Sequence, residues 1–125
     1  MSSAPQRALI AVLARLSPSL GAQLEEHIVY NGGMLPHVFL GDVTRYVAEL
    51  ADASPEAPQL QAMLDLLEDR FPNGAADEQE MIAVSFIENL PAPDEEGSEL
   101  RYILGPKLTE QLKVTWPTDS RLHSN

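Results

Sequence analysis

Apolar residues recur along this chain at the three-to-four-residue spacing of amphipathic helices. The clearest case is Leu60, Met63, Leu64, Leu67 and Phe71, which follow the i, i+3, i+4, i+7, i+11 pattern of one helix face. Nothing alternates between apolar and polar positions over more than a few residues, as a half-buried strand would. The pattern predicts a protein built from helices.

Proline and glycine divide this pattern into helix-length segments. A serine followed by a proline favours a helix start, because serine caps the free amides of the first turn and proline has the backbone angle of the first helical position. Asparagine and glycine favour a helix end, because they accept the left-handed backbone conformation. We expect helices over residues 5–16 and 17–30, from Pro36, from Ser54-Pro55, over residues 77–90, and from Ser98 with a break at Gly105-Pro106.

The segment from Met81 to Ile87 is apolar at every position except Ser85. A helix with so broad an apolar surface is expected to be the most buried one. Ser85 is expected to hydrogen-bond the carbonyl oxygen one turn back, because serine inside a helix commonly does so.

These elements predict an all-α fold of six to seven antiparallel helices, with residues 1–115 as a single helical domain and residues 116–125 as a C-terminal tail. Short turns favour antiparallel neighbours. No internal similarity occurs at the period of known helical repeats. A compact bundle and a short solenoid-like stack therefore both stay open.

Composition excludes several classes of chemistry. The 125 residues are 44% apolar and 22% charged, which is typical of a globular protein, and they include no cysteine. Disulfide frameworks, thiolate metal sites and cysteine nucleophiles are therefore absent.

The apolar run after Arg7 is short for a signal peptide and has helical spacing, and no run is long enough to span a membrane. We expect a cytoplasmic protein.

The sequence contains no recognisable catalytic, metal or cofactor motif. None of the three histidines, His27, His37 and His123, has a neighbour at a metal-binding spacing. His37 precedes Asp42 by five residues, and such a pair could act as a general base, but a local structural role for His37 is the simpler interpretation. We therefore expect no enzymatic activity, no metal and no cofactor.

The distribution of charge is more informative. The net charge is −11, which disfavours nucleic acids and anionic membranes as partners. No Lys or Arg lies between Arg70 and Arg101, whereas the same window holds eight acids: Asp77, Glu78, Glu80, Glu88, Asp94, Glu95, Glu96 and Glu99. Each acid alone is explained by solubility or a helix start, but their concentration favours encounter with a basic partner. That partner is either a basic protein whose active site this chain blocks, or a nucleic-acid-binding protein that binds this chain because its acids mimic the phosphates of DNA.

Three segments, Leu35–Val43, Ile82–Pro91 and Leu104–Leu108, resemble those of a family of small acidic bacterial proteins catalogued as a domain of unknown function. Members of that family resemble immunity proteins of toxin–immunity pairs. The resemblance covers about residues 20–113 and implies an all-helical cytoplasmic protein that neutralises a toxin by direct binding, with no catalytic residues to carry over.

The resulting hypothesis is an immunity or antitoxin-like protein that covers a basic toxin surface with its acidic residues. The alternative is a helical adaptor or regulatory module without a toxin partner. Within the resembling segments, Asp42, Glu88 and Asn89 have polar side chains that are not needed to form a hydrophobic core. They are therefore added to the acidic window as candidate contacts.

Overall fold

The computed structural model describes residues 2–123, and every regular element in that range is helical. Seven α-helices are joined by short turns, and two further helical segments lie between the fifth and the sixth. The α-helices are α1 Ala4–Arg15, α2 Pro18–Asn31, α3 Pro36–Ala53, α4 Pro58–Asn73, α5 Ala76–Met81, α6 Pro106–Thr115 and α7 Ser120–His123; the π-helical segment is Ile82–Ile87 and the 3₁₀-helix is Ser98–Tyr102. The all-α prediction is confirmed.

Most helix starts and ends lie at the serine, proline and glycine residues that predicted them. α1 begins with a capping box, in which Ser3 and Gln6 each accept a hydrogen bond from the other's backbone amide. α2 ends at Gly32, whose φ of 71° is the left-handed conformation that glycine adopts without strain. Ser17 occupies the expected position before α2, but its hydroxyl bonds that of Tyr46 at 2.7 Å and does not cap the helix.

The expected start of the fourth helix at Ser54-Pro55 is wrong. α3 continues to Ala53, so Ser54 ends that helix, and the amide of Ala57 donates to the carbonyl oxygen of Ser54 to close a turn. α4 begins at Pro58, the next proline.

A single hydrophobic core extends from Leu9 in α1 to Leu122 in α7. α3 lies at its centre, in contact with α1, α2, α4, the π-helical segment and the 3₁₀-helix. The side chains of Ile82, Phe86 and Ile87 are fully buried, as the sequence predicts for this apolar segment. One shared core supports a compact bundle and not a solenoid-like stack.

The π-helical form of residues 82–87 was not predicted. The amide of Glu88 donates to the carbonyl oxygen of Ala83, which closes the wider turn. The carbonyl oxygen of Ser85 is bonded by side chains, since Thr44 Oγ1 and Asn89 Nδ2 donate to it at 3.1 and 2.9 Å. Side-chain donors thus satisfy a backbone acceptor within this turn.

The segment from Trp116 to His123, assigned to a tail from the sequence, packs against the rest of the chain. Leu122 is buried with the core and Asp119 is buried beside Arg101. Residues 124 and 125 of that predicted tail lie outside the described residues. Across residues 2–123, no helix has the length and apolar character required to span a membrane.

Candidate functional site

The outer face of α3 carries a row of charged side chains. Val43, Val47 and Ala51 face the core, so the helical period turns Arg45, Glu49 and Asp52 toward solvent. Arg45 forms an ion pair with Asp42, one turn earlier on the same helix. The remaining charge on this face is therefore negative.

The loop from Pro91 to Gly97 lies against α3. The amide of Gly97 donates to Asp52 Oδ2 at 2.6 Å. The φ of Gly97 is 87°, and a Cβ atom there would lie only 2.9 Å from the Cβ of Ala48. Glycine is required both for the left-handed backbone and for this close approach. Within the loop, Glu95 accepts from the amide of Ala92 at 2.7 Å, which fixes the turn.

A cavity of about 400 Å³ opens between α3 and this loop; we call it the acidic cleft. Glu49, Asp52 and Glu96 form the acidic part of its lining, and Ala48, Ala53 and Pro91 form the apolar part. Arg45 and Asn89 also line it. Among the described residues, neither Glu49 nor Glu96 has a hydrogen-bonding or ion-pair partner. The arrangement presents uncompensated carboxylates beside apolar surface, which suits the aliphatic stem and charged head of a lysine or arginine.

Each of the two basic residues that flank the acidic window has a carboxylate partner: Arg70 pairs with Glu78 of the window, and Arg101 pairs with Asp119 outside it. The Arg70 guanidinium bonds Glu78 at 2.9 and 3.0 Å, and these bonds raise the pKa of Arg70 above its ordinary value. Arg101 is fully buried, with Asp119 as its ion-pair partner. The seven other acids of the window are therefore not neutralised by these two arginines.

The ion pair of Glu78 with Arg70 removes Glu78 from the candidate contact residues. Glu78 is only 2% exposed, and its carboxylate also accepts from the amide of Ala75 at 3.3 Å. The sequence placed it among exposed acids because neither its burial nor its partner is visible in the local pattern. Glu78 holds α5 against α4 and is not a surface contact.

The other candidates from the acidic window are exposed, but they form two groups. α5, where one group lies, packs on α1 and α4, whereas the loop that carries the other packs on α3. The continuous helix from Ala76 to Ile87 separates them by about 15–20 Å. The first group, on α5, is Asp77 and Glu80. The second group lies in the loop and in the residues on either side of it, and consists of Glu88, Asn89, Asp94, Glu95, Glu96 and Glu99. Glu99 forms an ion pair with Arg121.

Two members of the acidic cleft, Glu49 and Asp52, were not predicted from the sequence. The sequence does contain a pattern that could have identified them. Residues 46–69 also contain no Lys or Arg, and the two acids are three positions apart on one helix face. The structure shows that they meet the loop from Pro91 to Gly97 through the contact between Asp52 and Gly97, 45 positions apart.

The pairing of His37 with Asp42, considered from the sequence as a possible general base, does not occur. Five residues on an α-helix place two side chains on different faces, and Asp42 instead pairs with Arg45. His37 Nδ1 lies 2.9 Å from Ser85 Oγ, and its Nε2 lies 3.4 Å from the side-chain nitrogen of Gln6. The expected bond of the Ser85 hydroxyl to its own helix is likewise replaced by this contact.

A serine beside a histidine invites comparison with a nucleophile and its base. A working pair needs an accessible hydroxyl and a third group, usually a carboxylate, that orients the imidazole. Ser85 is 4% exposed, and the group beside the other ring nitrogen of His37 is the amide of Gln6. The contact therefore joins α3 to the π-helical segment. Within residues 2–123, no three His, Asp or Glu side chains are grouped as ligands for a metal ion.

Arg101, the most buried charged residue described, belongs to a cluster near the C-terminus. Arg101 Nε donates to Asp119 Oδ2 at 3.0 Å, and Arg101 Nη1 donates to the carbonyl oxygen of Pro91 at 3.0 Å. Its guanidinium also lies over the ring of Trp116, 4.7 Å from the centroid. Tyr102 completes the cluster by donating its hydroxyl to Asp119 at 3.1 Å.

This environment shifts two pKa values. Burial on its own would raise the pKa of Asp119, but the hydrogen bonds from Arg101 and Tyr102 outweigh it and lower that pKa below its ordinary value. Burial and the bond to the Asp119 carboxylate raise the pKa of Tyr102. Because Arg101 also bonds Pro91, the cluster supports the loop that borders the acidic cleft.

A family model described as a domain of unknown function, DUF7674, matches residues 10–116. The chain belongs to this family. No curated protein and no solved structure matches the chain. The predicted membership of a family of unknown function is confirmed, whereas the likeness to immunity proteins stays a prediction.

The DUF7674 match contains the whole acidic cleft, from Thr44 to Gly97, and ends before Asp119. The cleft is therefore built entirely from the family's own part of the chain, whereas one carboxylate that supports its bordering loop comes from outside the matched span.

Proposed function

We propose that this DUF7674 chain is a protein-binding module that takes a basic surface of a partner protein into the acidic cleft. The observation that carries the proposal is the pairing of free carboxylates, Glu49 and Glu96, with apolar surface in one concave site. Concave sites with both kinds of lining suit anchoring side chains better than flat charged surfaces do.

The finer proposal is an immunity role, in which the partner is a toxin domain and binding blocks its activity in the cytoplasm. It is supported by the excess of acids over bases, because a net charge of −11 speeds encounter with a basic protein. The alternative, an adaptor or regulatory module, uses the same cleft without inhibiting its partner. It is favoured by the exposed apolar side chains of Val29 and Tyr30 at the end of α2, since an adaptor needs more than one contact surface.

The test uses the product of the neighbouring reading frame as the partner and measures its association rate at low and moderate salt. Glu49→Lys with Glu96→Lys is expected to slow association by about tenfold and to weaken its salt dependence. Glu110→Lys with Asp65→Lys, exposed charge reversals on α6 and α4, makes the same change in net charge as the matched control and is expected to change the rate much less. Equal rates for both variants would exclude the cleft as the docking site.

Growth of cells that produce the partner separates the two roles. An immunity protein is expected to restore growth, and the double variant is expected to lose that protection. A partner that binds the cleft without growth inhibition or protection supports the adaptor.

A further inference from the structure

The C-terminal end of α2 exposes large apolar side chains. Tyr30 is 90% exposed and Val29 is 83% exposed. α2 buries few of its side chains, chiefly Leu20 and His27, and leaves Val29 and Tyr30 exposed in its last turn. Adjacent exposed apolar side chains on an otherwise acidic surface are typical of a contact with another molecule.

Two carboxylates border these side chains. Glu25, Glu26, Val29 and Tyr30 together line a shallow concavity, because each glutamate lies one turn before one of the apolar residues. Neither glutamate has a hydrogen-bonding or ion-pair partner within residues 2–123. Residues 16–44 contain no Lys or Arg, so no nearby basic residue in the sequence balances them.

The end of α2 is held rigidly. The amide of Leu35 donates to His27 Nε2 at 2.9 Å, and Asn31 Nδ2 donates to the carbonyl oxygen of His27 at 2.8 Å. The His27 ring also packs edge-on against Phe39, with centroids 5.3 Å apart. Val29 and Tyr30 are thus exposed on a fixed helix end, which lowers the entropy lost when a partner binds.

We infer that this surface, Glu25, Glu26, Val29 and Tyr30, docks a basic amphipathic segment of another protein. An apolar side chain of that segment covers Val29 and Tyr30, while its Lys or Arg residues pair with Glu25 and Glu26. A second copy of this chain is a poor occupant, because symmetric pairing would bring four uncompensated carboxylates together. The inference concerns a different surface from the acidic cleft and does not rest on the proposed function.

The test titrates the full chain with a synthetic amphipathic helical peptide of leucine and lysine, followed by heteronuclear NMR. A peptide with glutamate in place of lysine is the charge control. Saturable shifts are expected at residues 25–30 with the lysine peptide and none with the glutamate peptide. Tyr30→Ser with Val29→Ser is expected to weaken binding by about tenfold or more. Val114→Ser is the matched control, since Val114 is 73% exposed on α6, and it is expected to leave affinity unchanged.

A second pair of variants, Glu25→Gln and Glu26→Gln, keeps side-chain size and is expected to weaken binding several-fold and to reduce its salt dependence. Shifts confined to the acidic cleft, or equal binding of both peptides, would overturn the inference. A concentration-dependent dimer in sedimentation that Val29→Ser abolishes would also overturn it, because a second copy would then be the occupant.

Discussion

Arg101 and Asp119 form an ion pair in which the guanidinium and the carboxylate are almost wholly removed from solvent, at 0% and 3% side-chain exposure. The pair joins the 3₁₀-helix to the last turn before α7, and the same guanidinium bonds the carbonyl oxygen of Pro91. One side chain thus connects the C-terminal segment to the start of the loop that borders the acidic cleft.

Removing this carboxylate is expected to destabilise the protein strongly. Asp119→Asn leaves the buried guanidinium without its counter-charge, and the free energy of unfolding is expected to fall by about 3–5 kcal/mol in a urea titration. Glu99→Gln breaks the exposed pair with Arg121 and is the matched control, with an expected loss below about 1 kcal/mol. Similar losses for the two variants would contradict the importance given to burial.

The lowered pKa of Asp119 predicts acid sensitivity. The folded state favours the charged carboxylate, so it binds fewer protons than the unfolded state, in which an aspartate titrates near pH ~3.9. The stabilisation is expected to be complete above that pH and to be lost as pH falls through the folded-state pKa. Unfolding free energies measured below pH ~5 should therefore decline less steeply in Asp119→Asn. Parallel pH profiles for both proteins would count against this assignment.

Glu68 is expected to stabilise the start of α6. Its carboxylate accepts from the amides of Lys107 and Leu108 at 2.7 and 3.0 Å, as a capping side chain does, although it lies on α4. Glu68→Ala is expected to lower the unfolding free energy by about 1–2 kcal/mol, because two amides lose their acceptor. Glu68→Gln keeps one acceptor oxygen and should lose less. Faster hydrogen exchange at both amides would accompany the loss, and unchanged exchange in Glu68→Ala would contradict it.

Gly97 is expected to tolerate no side chain. Gly97→Ala forces a Cβ atom toward Ala48 and a left-handed backbone that alanine disfavours, so a loss of about 2 kcal/mol or more is expected in thermal or urea unfolding. Gly21→Ala is the control, because its Cβ would lie 3.5 Å from the nearest backbone oxygen and α2 gains helix propensity there. A neutral result at residue 97 would mean that the loop is not held closely against α3.

The sequence predicts the helical segments well wherever a local signal specifies them. Pro18, Pro36 and Pro106 each occupy the first position of a helix, and Gly32 ends one. The start at Ser54-Pro55 failed because three further residues completed a turn before the next proline. The π-helical turn was not predicted, because six residues are too few for their apolar pattern to separate it from an α-helical turn.

The candidate site was predictable only in part. Glu96 and Asn89 were identified from charge and from the family resemblance, and both line the acidic cleft. Glu49 and Asp52 were missed, and Glu78 was misplaced, because a sequence gives the charge of a residue but not the residue from a distant element that it faces. The pair of Asp52 with Gly97 forms only when the loop from Pro91 to Gly97 packs against α3.

The buried pair of Arg101 and Asp119 also sets a practical limit on fragments of this chain. A fragment trimmed to the family match at residues 10–116 would keep Arg101 and discard Asp119, together with Ser3 and Gln6 of the capping box that starts α1. Its acidic cleft would be complete in sequence, yet Arg101, which bonds the loop beside the cleft, would lack the carboxylate that balances its charge. A fragment meant to preserve the cleft needs to extend at least through α7.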